Sequence, residues 1–162
     1  MTAMRNVFFV LLTLIFSVTA SAGVQGTPDE AVAMVSKAVS YMKANGRDKG
    51  FAEFNNPHGR FVDRDLYIFV LDQQGVMVAH GALPKIIGKR VLEMRDADDK
   101  YLFKNMLAAT GTRTTAWVHY KWPNPATGEI AAKSTYLERV GDLVIGCGTY
   151  DKISAQAVAK LD

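Results

Sequence analysis

The residues with chemistry to offer collect in one stretch, HYKWPNPATGEIAAKSTYLER, from His119 to Arg139. Around a Pro-Asn-Pro turn it holds His119, Tyr120, Lys121 and Trp122, and then Lys133 and Tyr136. An ammonium beside phenol and indole donors suits a small anion, because charge-assisted hydrogen bonds hold the anion and the rings keep water away. The same residue types also serve plainer ends. Lysine is rarely buried, so Lys133 and Lys121 stand between solvated edge cations and cations aimed at a carboxylate. Tyr120, Trp122 and Tyr136 divide between core packing and a lined cavity.

Outside this stretch the candidates are fewer. Tyr67 and Phe69 alternate with Ile68 and Val70 in an apolar run, so one of its faces carries a hydroxyl that needs a partner. His80 ends the run VMVAH, where it is either structural or a ligand contact, and an ordinary pKa near 6.5 would let it pair with an acid. The lone cysteine, Cys147 between Gly146 and Gly148, reads as a small buried filler, unable to form an internal disulfide or a cysteine-based zinc site. His58, His80 and His119 show no metal-ligand spacing, and no nucleophile elbow or phosphate loop is present. The sequence therefore implies neither a metal nor a cofactor. Pairs such as His80 with Asp96 are conceivable acid–base couples, but nothing in the spacing selects them.

The elements that must position these residues are legible from periodicity. Thr27-Pro28-Asp29-Glu30 predicts a helix start, followed by the stripe Val32, Val35, Val39 and Met42 and a stop at Asn45-Gly46. Phe51 and Phe54 mark a shorter helix. Asp65–Asp72 and Val76–His80 read as a hairpin, about Ala97–Ala109 as a helix, and Thr114–Trp122, Ala131–Arg139 and Leu143–Tyr150 as three further strands. A short amphipathic helix is expected over Ile153–Leu161. Tight connections between strands make the sheet mainly antiparallel with helices packed on it, an α+β domain. In the strand after Arg113, Val118, Tyr120 and Trp122 point one way and Trp117, His119 and Lys121 the other; Lys133, Thr135 and Leu137 likewise oppose Ser134, Tyr136 and Glu138.

The chain opens with Arg5, an apolar run Val7–Val18 and Ala20-Ser21-Ala22, the layout of a secretory signal over 1–22 cleaved after Ala22. That run would cover only about 18 Å of a hydrocarbon core roughly 30 Å thick, too little for an anchor. Residues 23–162 then form a single domain, with no second run long enough to span a membrane. A net charge of +3 with both signs spread along the chain carries no nucleic-acid footprint.

The segments FAEFNNPHGRFVDRDLYIFVLD, VMVAHGALPKIIGK, TTAWVHYKWPNPATGEIAAKSTYLERV and LVIGCGTY resemble the type 2 single Cache domain, over about Ala31 to Tyr150. The resemblance implies a PAS-like fold, with a long N-terminal helix behind an antiparallel sheet of about five strands and a ligand pocket on the other sheet face. Such domains are extracytoplasmic sensing modules of bacterial chemoreceptors and sensor kinases. They typically bind small organic molecules, often short carboxylates such as acetate, propionate, pyruvate or lactate. Carried onto this sequence, the ligand-binding residues are Tyr67, Phe69, His80, Trp117, Tyr120, Trp122, Lys133 and Tyr136. Receptors of the family continue into a second membrane span and cytoplasmic modules, whereas this sequence ends at Asp162. The expectation is thus a periplasmic binding domain, not an enzyme, that signals through a separate partner such as a membrane-bound sensor or chemoreceptor. Two alternatives stand beside it: a small enzyme using the same pocket, with His80 or a tyrosine as acid–base, and an interaction module whose pocket is vestigial.

Overall fold

Thr27 opens the first helix, α1 (Pro28–Asn45), through a reciprocal box. Its hydroxyl accepts from the Glu30 N–H, and the Glu30 carboxylate accepts from the Thr27 N–H at 2.8 Å. The computed structural model describes residues 25–151; the signal segment expected over 1–22 and the helix expected over Ile153–Leu161 lie outside the described residues. The buried stripe of α1 is Ala31, Val35, Ala38, Val39 and Met42. Val32, expected on that stripe, is only half-buried, and Ala31 and Ala38 take the inner positions, where small side chains let the helix lie close to the sheet. Gly46 ends α1 and α2 (Arg47–Phe54) follows, with Phe54 packed edge-on against Phe61 at 4.8 Å between ring centres.

Six antiparallel strands form the sheet: β1 (Val62–Asp63), β2 (Leu66–Asp72), β3 (Met77–His80), β4 (Thr115–Pro123), β5 (Ile130–Val140) and β6 (Leu143–Tyr150). β1 and β3 both pair with β2, and the last strand is inserted between β2 and β5. This explains the near-continuous apolar runs of β2 and β6, which are covered on both faces. Behind the sheet, α1 and α2 pack on Ile68, Val70, Ile145 and Cys147. In front, α3 (Leu102–Gly111) packs with Phe69, Leu71, Trp122 and Leu137.

Helix α3 begins five residues later than the sequence predicts. The Asp96 carboxylate accepts the N–H groups of Asp98 and Lys100, and Asp99 takes a left-handed conformation (φ 63°), so 96–100 is a side-chain-stapled turn. The same carboxylate accepts the Lys121 N–H at 3.0 Å, and the Lys121 ammonium reaches Asp98 at 2.7 Å. Asp96 is therefore committed to the outer strand and is no partner for His80.

Candidate functional site

The register of the sheet assembles the front face. Tyr120 on β4 stands opposite Lys133 on β5, and Lys133 stands opposite Tyr150 on β6. Lys133 is not a solvated edge cation; it is 1% exposed. Its stem crosses β6 at Gly148, where an added β-carbon would overlap Lys133 Cε and Thr135 Oγ1. Gly146 makes the same kind of room for the Phe69 ring. The two glycines flanking Cys147 thus open a trough in the front of β6, and the lysine lies along it.

At the end of that stem the ammonium donates to Tyr67 Oη at 2.6 Å and to Tyr150 Oη at 3.1 Å. It also lies 3.9 Å from the Tyr67 ring centre and 4.5 Å from that of Tyr150. The Tyr150 hydroxyl donates to the Pro123 carbonyl at 2.8 Å, which commits its proton. The Tyr67 proton remains available to Tyr150 Oη, 3.3 Å away, or to a guest. No carboxylate among the described residues reaches ion-pair distance of Lys133, and its third N–H has no protein acceptor there. Burial pulls the Lys133 pKa down to about 7, only partly opposed by the charge of Asp65.

His80 closes the cluster. Its ring lies 4.9 Å from that of Tyr67 and 6.0 Å from that of Phe69. Nδ1 accepts the backbone N–H groups of Ala82 (3.2 Å) and Leu83 (2.9 Å), so the neutral ring carries its proton on Nε2. Burial, and then the Lys133 charge, push its pKa down to about 3. The expected cationic pairing of His80 with an acid is therefore replaced by a neutral N–H donor. Tyr120 bonds Thr135 Oγ1 at 2.9 Å and packs beside Trp122, which meets Phe103 edge-on. Burial raises the pKa values of Tyr67, Tyr120 and Tyr150, so all three phenols are protonated at neutral pH.

The structure brings six of the eight predicted residues, Tyr67, Phe69, His80, Tyr120, Trp122 and Lys133, to one face. Trp117 and Tyr136 are not with them. They pair with each other on the opposite face, 5.5 Å between ring centres, and Trp117 is 40% exposed. Strand alternation is the reason: both stand one residue out of phase with Tyr120 and Lys133. Sequence reasoning missed Tyr150, Thr135 and Gly148. Period-two reading of β6 would have put Tyr150 on the face of Val144, Gly146 and Gly148.

A cavity of about 240 Å³ adjoins the cluster, lined among others by Asn55, Val62, Tyr67, Gly81, Ala82 and Pro84. Tyr67 is the one predicted residue that lines it, and so it joins the cavity to the ammonium. Cys147 faces the other core, with its thiol 3.7 Å from Met34 Sδ and its pKa pushed up to about 12 by burial, which leaves it unreactive.

A helix-backed antiparallel sheet with a polar cluster and an adjoining hollow on its front face is a PAS-like architecture. The chain belongs to the single Cache domain 2 family, whose profile matches residues 5–162. It is 30% identical over 102 residues to the methyl-accepting chemotaxis protein McpP of Pseudomonas putida, a match covering 61% of this chain and 19% of that protein. It is 33% identical over 100 residues to the sensor histidine kinase MctS of Rhizobium johnstonii, covering 59% of this chain and 21% of the kinase. The chain thus spans about a fifth of the length of these relatives. Among solved structures, a methyl-accepting chemotaxis protein from Vibrio parahaemolyticus matches with a TM-score of 0.65 at 25% identity, covering 75% of this chain and 86% of that one. A Cache chemosensory domain studied for carboxylic acid recognition shares the fold, with a TM-score of 0.59 at 22% identity over 75% of this chain and 86% of that one.

Proposed function

We propose that this domain is the extracytoplasmic ligand-binding part of a bacterial sensing system, and that it takes a small organic carboxylate. One observation carries the reading: a fully buried ammonium held by two phenols, with no carboxylate at ion-pair distance and one N–H without an acceptor among the described residues. An isolated buried charge is costly unless something compensates it, and a guest carboxylate does so with charge-assisted hydrogen bonds. Lys133 and the Tyr67 hydroxyl donate to the acid, His80 Nε2 supplies a neutral donor, and Phe69 and Trp122 exclude water from a short carbon chain. The cavity of about 240 Å³ lies below the range of drug-sized sites, which favours a guest of a few carbons. Support also comes from the relatives: one is named as a chemoreceptor, another as a sensor kinase, and a fold neighbour is described as recognising carboxylic acids. On this reading the segment 1–22 exports the domain to the periplasm, where it works with a membrane-bound sensor.

The test is a thermal-shift panel of acetate, propionate, pyruvate and lactate, followed by calorimetry on the wild type and on Lys133→Met. A ligand at a hundred times its Kd adds about 2.7 kcal/mol of stability, a shift that is easily seen. Loss of Lys133 is expected to weaken binding by roughly 2–5 kcal/mol. Equal affinity in the variant would remove Lys133 from the site, and silence across a wide panel of acids would refute the carboxylate assignment.

A further inference from the structure

Among the described residues, three polar side chains line the cavity of about 240 Å³: Tyr67, Arg64 and Asn55. The rest of its lining is proline, valine, alanine and glycine. Arg64 is engaged elsewhere. Its guanidinium donates to the Gln25 carbonyl at 3.1 Å, to Glu30 Oε1 at 2.8 Å and to Asp63 Oδ2 at 2.8 Å. Tyr67 is tied to the Lys133 ammonium at 2.6 Å. Asn55 remains, and the carboxylate site as described makes no use of it.

Asn55 follows the last residue of α2, and its backbone N–H is used at the helix end, donating to the Phe51 carbonyl at 3.0 Å. Its side chain reaches across to β3, where Oδ1 accepts the His80 N–H at 2.8 Å. That bond fixes which way round the amide sits. With the oxygen turned to His80, the NH2 edge is left for the cavity that Asn55 lines. Nδ2 donates to no described residue, although the side chain is half-buried. The surroundings hold the group in place. The His80 ring accepts the Ala82 and Leu83 N–H groups, and the Gly81 N–H donates to the Ile68 carbonyl at 2.9 Å. A β-carbon on Gly81 would press on the Phe54 carbonyl and on Tyr67 Cβ, each at 3.2 Å, so the ends of α2 and β3 meet Tyr67 without slack. A fixed donor in a mostly apolar wall is costly to leave unpaired and selective once it finds an acceptor.

We propose that Asn55 determines specificity: its Nδ2 donates to an oxo oxygen on the guest, so the pocket takes oxo acids in preference to alkanoates of the same length. This rests on the reading of the site as a carboxylate pocket. Tyr67 serves the acid end, with Lys133 behind it, and Asn55 serves the extra oxygen. An alkanoate would fill the same space but leave the Nδ2 N–H groups facing carbon, stripped of water. A hydroxyl oxygen could accept one of them, yet its own proton would find the Asn55 oxygen already taken by His80. An oxo oxygen only accepts, which matches a wall that only donates. Asn55 also positions His80 through Oδ1, a separate role that bears on every acid alike.

The experiment is calorimetry on the full chain with matched pairs: pyruvate against propionate, and 2-oxobutyrate and acetoacetate against butyrate. At least one oxo acid is expected to bind the wild type about tenfold or more tighter than its alkanoate, the scale set by a desolvated donor left unpaired. Asn55→Ala and Asn55→Asp should bring that ratio to within about twofold of one. Asn55→Asp keeps an oxygen for the His80 N–H and loses only the donor, so it decides the matter if Asn55→Ala does not fold. Its added charge weakens both members of a pair and cancels in the ratio. In the wild type, the side-chain amide signals of Asn55 should move with the favoured oxo acid and far less with its alkanoate. Ratios near one in the wild type overturn the assignment of Asn55 and leave the carboxylate reading standing. So does a preference that survives in the folded variants, or an equal loss of both members of each pair, the mark of a role through His80 alone. Binding of none of these acids refutes the carboxylate reading and this one with it.

Discussion

Replacing Lys133 with methionine is expected to make the empty domain more stable, although it removes two hydrogen bonds. The folded protein holds Lys133 at a pKa of about 7 against an ordinary 10.5. A folded-state pKa below the unfolded one means that the unfolded chain binds more protons between these values. Stability then rises with pH across that window, and the penalty is complete below pH 7. At pH 7 the penalty is about 4 kcal/mol. Met fills a similar volume without charge, and the orphaned phenol hydroxyls return about 1 kcal/mol each. The expected net gain is roughly 2 kcal/mol at pH 7. Urea unfolding at pH 7 and pH 9 measures it. Between these values the wild type should recover about 2 kcal/mol while Lys133→Met stays level, so the gap closes. A variant less stable than wild type at pH 7, or a gap that does not depend on pH, would show that the ammonium is not held against its solvation and would refute the reasoning.

Gly148→Ala should force the Lys133 stem off β6 because the new methyl overlaps Cε. Calorimetry should show acid binding weakened at least tenfold, with overpacking costing roughly 1–3 kcal/mol of stability. Acid affinity should be nearly flat just below pH 7 and fall above it by up to tenfold per unit, as the empty site must first regain the Lys133 proton; calorimetry in buffers of different ionisation heat would register that proton. His80 should stay neutral by NMR from pH 8 to pH 5, and its burial should erode stability as pH falls from 6.5 towards 3, because the unfolded ring protonates first. Trp117→Ala should leave acid affinity within about twofold of wild type, the ring being on the far face of the sheet; a larger loss would contradict the face assignment.

The elements were largely legible because each has a local cause. The Thr27–Glu30 box, the apolar run of β2 and the turns at Pro123–Gly128 and Gly141-Asp142 are short-range signals, and all mark real boundaries. Periodicity also separated Tyr120 and Lys133 from Trp117 and Tyr136, but it could not say which set faces the hollow. That choice depends on α1 covering the other side, a long-range fact. Lys133 could not be placed by type alone, because burying it requires a glycine trough and a phenol on the neighbouring β6 and a second phenol from β2. The late start of α3 was hidden because Asp96 prefers stapling a turn to capping a helix.

That staple has a further effect at the sheet's margin. Among the described residues β4 is a nine-residue outer strand paired with β5 alone, and an unguarded row of amides there would invite a foreign chain to add itself. By claiming the Lys121 amide and tethering its side chain to Asp98, the 96–100 turn acts as a stopper against such growth. An Asp96→Ala protein would therefore be prone to self-assembly through this margin while its interior, and its guest, stayed as they are.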